Sequence, residues 1–165
     1  MDDITMRGHV DAFLVAPDGK RTPAQAGANT VSYACAEAVA RLFAGQGGGP
    51  TRVVFAHADT TDKTFNFVSG DRDKAESDIL GTDLQAASVA IDASPSISAS
   101  DASKYKTGGN VVTLRATMSS DAAFYIYGYM LEDAAGHVLA VRKLDNPVQK
   151  PEGYAFAVSW AITFA

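Results

Sequence analysis

Between Tyr154 and Phe164 the chain alternates without a break. The even positions hold Tyr154, Phe156, Val158, Trp160, Ile162 and Phe164, and the odd ones hold Ala155, Ala157, Ser159, Ala161 and Thr163. Successive side chains of a strand point to opposite faces, whereas a helix would scatter these bulky groups around its circumference. The segment therefore reads as a strand with one heavy, core-forming face and one smooth face of small residues. A second layer or a neighbouring subunit fits against the smooth face. The rest of the chain has to supply strands that pair with this one.

Such strands precede it. Val112, Leu114, Ala116 and Met118 alternate with Thr113, Arg115 and Thr117. Phe124, Ile126, Gly128 and Met130 alternate with Tyr125, Tyr127, Tyr129 and Leu131. Ala135-Gly136 turns the chain, residues 137–144 return as a strand, and Lys150-Pro151-Glu152-Gly153 leads into the last one. Four strands joined by short turns make an antiparallel meander or Greek key. The row Tyr125, Tyr127 and Tyr129 backs onto Phe124, Ile126 and Met130, so both faces of this strand meet apolar surroundings. The tyrosine face is a candidate subunit interface, where Tyr is enriched. Ordinary core and carbohydrate stacking are the competing readings.

The N-terminal half is less regular. Residues 7–16 read as a strand and Pro17-Asp18-Gly19-Lys20 as a turn. A helix is expected over 30–44, because Val31, Cys35, Ala38, Val39, Leu42 and Phe43 fall at i, i+4, i+7, i+8, i+11 and i+12. Asn29 or Thr30 can cap its start, and Gly45 stands where a left-handed C-terminal residue is expected. Residues 51–57, with Val53, Val54 and Phe55, read as a strand, and 64–68, with Phe65 and Phe67, as a shorter one. Residues 70–83 are charged and suit a loop or one or two helical turns, and 84–92 regain apolar character through Leu84, Val89 and Ile91. Residues 93–109 are rich in Ser, Ala and Asp and have little to bury. They read as an exposed arm or long loop, with Ser94, Ser96 and Ser98 as candidate contact residues.

No pattern in the chain assembles a reacting centre. His57, Asp59 and Asp62 are close enough in sequence to ligate a cation together, but Asp is common in turns for conformational reasons. Asp71, Asp73, Glu76 and Asp78 fail the spacing of a calcium loop: Ala75 and Glu76 fall where a ligand and a Gly are needed. The glycines at 45–49 follow a helix, whereas a phosphate cradle needs them between a strand and a helix, and no Gly-Lys-Ser/Thr is present. Cys35 sits on the apolar stripe of the expected helix and reads as a small buried hydrophobe. The expectation is a protein that is not an enzyme, with no cofactor and no metal.

Composition narrows the partners. The chain has 165 residues, enough for one domain, and 47% hydrophobic residues, enough for a core. Its 14 Lys and Arg against 19 Asp and Glu give a net charge of −5, and no basic cluster exceeds Lys20-Arg21 or Arg142-Lys143. Nucleic acid is therefore not an expected partner. A single cysteine excludes an intrachain disulfide and a structural zinc held by several thiolates. The acidic start Met1-Asp2-Asp3-Ile4-Thr5 lacks the apolar core of a secretory signal, and no apolar run is long enough for a membrane span.

The order of features resembles small structural proteins of tailed bacteriophages. Those domains open with a strand and a turn and continue with a helix, which here would be Asn29-Thr30-Val31 through Val39, Leu42, Phe43, Ala44 and Gly45. A strand follows, here 52–57. Their C-terminal part carries an aromatic-glycine-hydrophobic-acidic segment, then a glycine and a strand, as in Tyr127-Gly128-Tyr129-Met130-Leu131-Glu132-Asp133 and Gly136-His137-Val138-Leu139-Ala140. They close with a Lys-Pro turn and an alternating strand, as Lys150-Pro151 and 154–164 do. The likeness covers most of the chain except 70–110.

The resemblance implies a virion structural protein assembled in the host cytoplasm. The leading form is a capsid cement or decoration protein, a homo-oligomer and in the expected case a homotrimer, bound to the major capsid protein. A small tail or tail-fibre-associated protein contacting tail proteins is the alternative, and a carbohydrate- or receptor-binding module the second. No active-site residues are implied. The expected fold is α+β and mostly β: one antiparallel β-sandwich domain over 1–165, with a single amphipathic helix at 30–44 packed on it.

Overall fold

The computed structural model describes residues 5–165, so the acidic start at 1–4 lies outside the described residues. The fold is mostly antiparallel β. Its strands are β1 (Met6–Val15), β2 (Arg21–Pro23), β3 (Gly27–Val31), β4 (Pro50–Ala58), β5 (Gln85–Ala90), β6 (Ser96–Ser98), β7 (Val111–Ser119), β8 (Phe124–Asp133), β9 (Val138–Lys150) and β10 (Ala155–Phe164). Two helices interrupt them, α1 (Tyr33–Phe43) and α2 (Glu76–Leu80). The strands run in the order β5-β4-β8-β9-β3-β1-β10-β7-β6, with β2 added on β1. Every pairing is antiparallel. Hydrogen bonding thus makes one continuous sheet curled into a half-barrel.

The alternating C-terminal segment lies between β1 and β7, where it is paired along its length on both sides. Its even face, with Phe156, Val158, Trp160 and Ile162, fills the inside of the curl. Val10 and Ala12 of β1, Phe55 of β4, Leu114 and Met118 of β7, and Leu131 of β8 meet it there. The rings of Tyr129 and Trp160 contact edge to face at 5.7 Å, and Phe55 and Phe156 do so at 5.9 Å.

A second core covers the outside of β4, β8 and β9. Phe65, Phe67, Ile79 and Leu84 pack there on Val54, Ala56, Tyr127, Met130 and Val141. The expected strand over 64–68 is not formed. The Phe67 amide donates to the Phe65 carbonyl at 2.9 Å, a three-residue turn that drops both rings onto the sheet.

The helix begins later than its apolar spacing implies. Gly27–Asn29 pair with β1, and Thr30 and Val31 pair with β9, so β3 is a corner strand shared between the two halves of the sheet. Asn29 and Thr30 are strand residues, and the residue at the helix start is Ser32, whose hydroxyl donates to the Leu139 carbonyl at 2.9 Å instead of capping α1. The other end is as expected. Gly45 has φ +72°, and the Gln46 amide closes the turn on the Arg41 carbonyl at 2.8 Å. Among the described residues no helix is long and apolar enough to cross a membrane.

Candidate functional site

The three tyrosines do not share a face. The pairing of β8 shifts register on both sides between Ile126 and Gly128, which leaves Tyr127 opposite no residue of β4 or β9. One extra residue reverses the parity of everything after it. Phe124 and Ile126 point inside the curl, but beyond the bulge it is Tyr129 and Leu131 that do so. Tyr129 has no exposed surface, and burial pushes its phenol far above the usual range. Tyr127 is buried in the outer core, where its hydroxyl donates to the Thr60 carbonyl and accepts from the Lys63 amide at 3.1 Å. Tyr125 is half-buried beside it. Tyr127 and Tyr129 are therefore core residues of this chain, at 5% and 0% exposure.

Residues 93–109 are exposed but not free. Ser96–Ser98 form the edge strand β6 on β7, with Ile97 opposite Val112. The Asn110 side-chain oxygen accepts from the amide and the hydroxyl of Ser100, at 3.0 and 3.1 Å, and the Asn110 amide donates to the Ser98 carbonyl. Ser94, Ser96 and Ser98 all face solvent. The expected arm is thus a tethered edge strand and its loop.

The candidate ligands also separate. The His57 ring stacks on Phe124 at 4.2 Å, and burial lowers its pKa against the opposing charge of Asp59. Asp62 accepts from the Thr60 hydroxyl on the surface. Among the described residues no three His, Cys, Asp or Glu side chains lie close enough to hold a metal ion. Asp71 accepts from the Val68 amide at 3.2 Å, while Glu76 and Asp78 lie in the first turn of α2, where acidic side chains favour the helix dipole. Cys35 is buried under α1, which raises its thiol pKa and holds it in the unreactive form.

Sequence reading missed a cluster of charges at the end of β8. Glu132 has no exposed surface, and its Oε1 accepts from Arg52 Nη2 at 3.0 Å. Its Oε2 has no donor among the described residues. Burial first, and Glu76 with it, push Glu132 up to about 7, while Arg52 opposes the shift. Next to it, burial would raise Asp133, but hydrogen bonds from the His137 ring, at 2.8 Å, and from backbone amides hold it below the usual carboxylate range. The signal was present as two consecutive acids ending an otherwise apolar strand. Another buried charge, Lys150, donates to the carbonyls of Ser120, Tyr154 and Pro151 at 2.7, 2.9 and 3.2 Å and so staples the turns around it.

A cleft of about 650 Å³ lies where β3 leaves β1. Arg7 and Arg72 line it with Asn29, Thr30, Ser69 and Tyr33, and among the described residues its walls hold no carboxylate, imidazole or thiol.

The surface carries one apolar feature out of place. The α1 helix buries only Cys35 and Ala38, against Leu139 of β9. Phe43 is 97% exposed and Tyr33 62%, and Leu42 and Val39 are also exposed. Their spacing places Val39, Leu42 and Phe43 on the buried stripe, but α1 packs mainly on β9, which meets only the arc centred on Cys35 and Ala38. Compared with protein-family models, with curated proteins and with solved structures, the chain matches none.

Proposed function

We propose that this chain is a structural assembly protein, working through contacts with copies of itself and with its neighbours in a bacteriophage particle. The observation that carries this reading is the apolar outer face of α1, a helix that a freely diffusing monomer would expose to water at a cost. Two further observations support it. The buried charges of Glu132, Asp133 and Lys150 are held by ion pairs and by turn carbonyls. The ordering of sequence features resembles small virion proteins, which supports a capsid cement or decoration role. A small tail component is the same physical device at another address. In this role the two halves of the curled sheet act as the layers of a sandwich around one core, giving a rigid body. The resemblance carries a homotrimer as the expected assembly.

The carbohydrate-binding reading loses its motivation, since the rings of Trp160, Tyr127 and Tyr129 are buried and offer no stacking face. The test is sedimentation of native particles from cells that produce the chain. Co-sedimentation with megadalton particles, released as salt or denaturant is raised, is the expected result. Recovery only in low-mass fractions overturns the reading.

A further inference from the structure

The exposed face of α1 is spaced as a palindrome. Tyr33, Ala36, Ala40 and Phe43 are all exposed and fall at intervals of three, four and three residues, which places them on one helical stripe. Reversing the helix about its midpoint, Ala38, exchanges Tyr33 with Phe43 and Ala36 with Ala40. A stripe with this symmetry is complementary to itself under a two-fold axis. We infer that α1 is an isologous docking surface whose partner is the antiparallel α1 of a second copy of this chain, with Tyr33 of each copy against Phe43 of the other. The inference rests on the proposed assembly through like subunits and names the surface.

The chemistry of the stripe favours this occupant. Two alanines at the centre let the helix backbones approach to the close end of the usual 8–10 Å range. An aromatic ring at each end then closes over the other chain's ring, and aromatic pairs add about 0.5–1.5 kcal/mol each beyond the area they bury. The charges fit too. Glu37 and Arg41 lie on one flank of the stripe, and a two-fold axis perpendicular to antiparallel helices keeps equivalent flanks on the same side. Glu37 of one copy then stands about 3 Å along the axis from Arg41 of the other. Among the described residues Glu37 has no cation within reach, and Arg41 meets Asp133 only at 3.7 Å. A parallel two-fold pairing would instead put the two Glu37–Arg41 flanks on opposite sides of the interface, with no such contact between them.

The area fits a weak dimer. Phe43 and Tyr33 at 97% and 62% exposure, with Val39 and the two alanines, offer on the order of 400 Å² of apolar surface per copy. Two copies then bury about 800 Å², the range of weak, transient pairings. The pairing should therefore depend on concentration. Its symmetry is two-fold, in place of the trimer that the resemblance implies.

The test is analytical ultracentrifugation of the purified chain from about 1 to 200 μM. A monomer–dimer equilibrium is expected, with Ala40→Glu and Phe43→Glu each weakening association at least tenfold while circular dichroism and the unfolding midpoint stay at wild-type values. With Cys35→Ser as background, mixed A36C and A40C chains should crosslink to each other on oxidation faster than either does alone. A monomer at every concentration overturns the inference, and a protein that is monomeric yet co-sediments with particles overturns this surface while leaving the assembly reading intact. A dimer insensitive to both glutamate substitutions, or crosslinking strongest between identical chains, also overturns it.

Discussion

Arg52 grips only one oxygen of Glu132: its Nη2 and Nε reach the same Oε1, at 3.0 and 3.3 Å. The other oxygen is buried with no donor among the described residues. The pair ties β4 to β8 through Arg52 and Glu132.

Burial of the Glu132 carboxyl makes stability depend on pH. Glu132 sits at about 7 in the folded chain and near 4.3 when unfolded, so the folded state binds more protons between those values. The stabilisation is complete below about pH 4.3 and is lost as pH rises through about 7. Urea unfolding at pH 5.5 and 8.5 should differ by on the order of 2 kcal/mol, the alkaline sample being weaker. Glu132→Gln should flatten this dependence. An unchanged slope in the variant would place the titration elsewhere.

Trp160 and Phe43 should respond oppositely to truncation. Trp160 has no exposed surface and packs on Tyr129, so Trp160→Ala should cost about 3–5 kcal/mol in chemical denaturation. Phe43→Ala removes a ring that touches water almost everywhere, and the monomer should change by no more than about 0.5 kcal/mol. Measurements at a few micromolar keep association out of the second value.

Gly128 allows the bulge in β8. A Cβ there would stand 2.5 Å from the Arg142 carbonyl oxygen and 2.9 Å from the Phe65 ring, so a backbone ladder as well as a side chain would have to move. Gly128→Ala should destabilise the fold by about 1–3 kcal/mol or more. Near-edge ultraviolet circular dichroism, which senses Tyr127, Tyr129 and Trp160, should change with it. A neutral result would mean that β9 yields at Arg142.

Deleting residues 94–103 should remove β6 without unfolding the sheet, since Ser96–Ser98 are exposed and pair only with β7. The expected loss is about 1 kcal/mol in the urea midpoint, with cooperativity kept. Loss of a cooperative transition would show that the edge strand belongs to the folding core. Weaker co-sedimentation with particles would assign the segment to assembly.

The parts of this fold that sequence revealed are those where one local rule dominates. The even face of 154–164 is buried because β10 has a neighbour on each side and no bulge resets its parity. The same rule fails in β8, where a single unpaired residue, Tyr127, sends Tyr129 to the opposite core, and period-two counting has no term for an insertion. The α1 stripe misled differently. Its apolar residues cover most of the circumference, so spacing alone does not choose which arc meets Leu139. Asn29 and Thr30 have the chemistry of helix caps, but β1 and β9 claim their backbones first. The Glu132 cluster depends on Arg52, eighty positions upstream, and no local pattern joins the two.

Because β1 finds its longest partner in β10, β1 leaves the ribosome well before the strand it rests on. At ordinary translation rates about 140 intervening residues take on the order of ten seconds to appear. Through that interval the inward face of β1, with Val10 and Ala12, lacks the aromatic wall it will rest on. Nascent chains of this protein are thus obliged to hold an unclosed sheet in a crowded cell, and the alternation at 154–164 acts as the clasp that ends the wait.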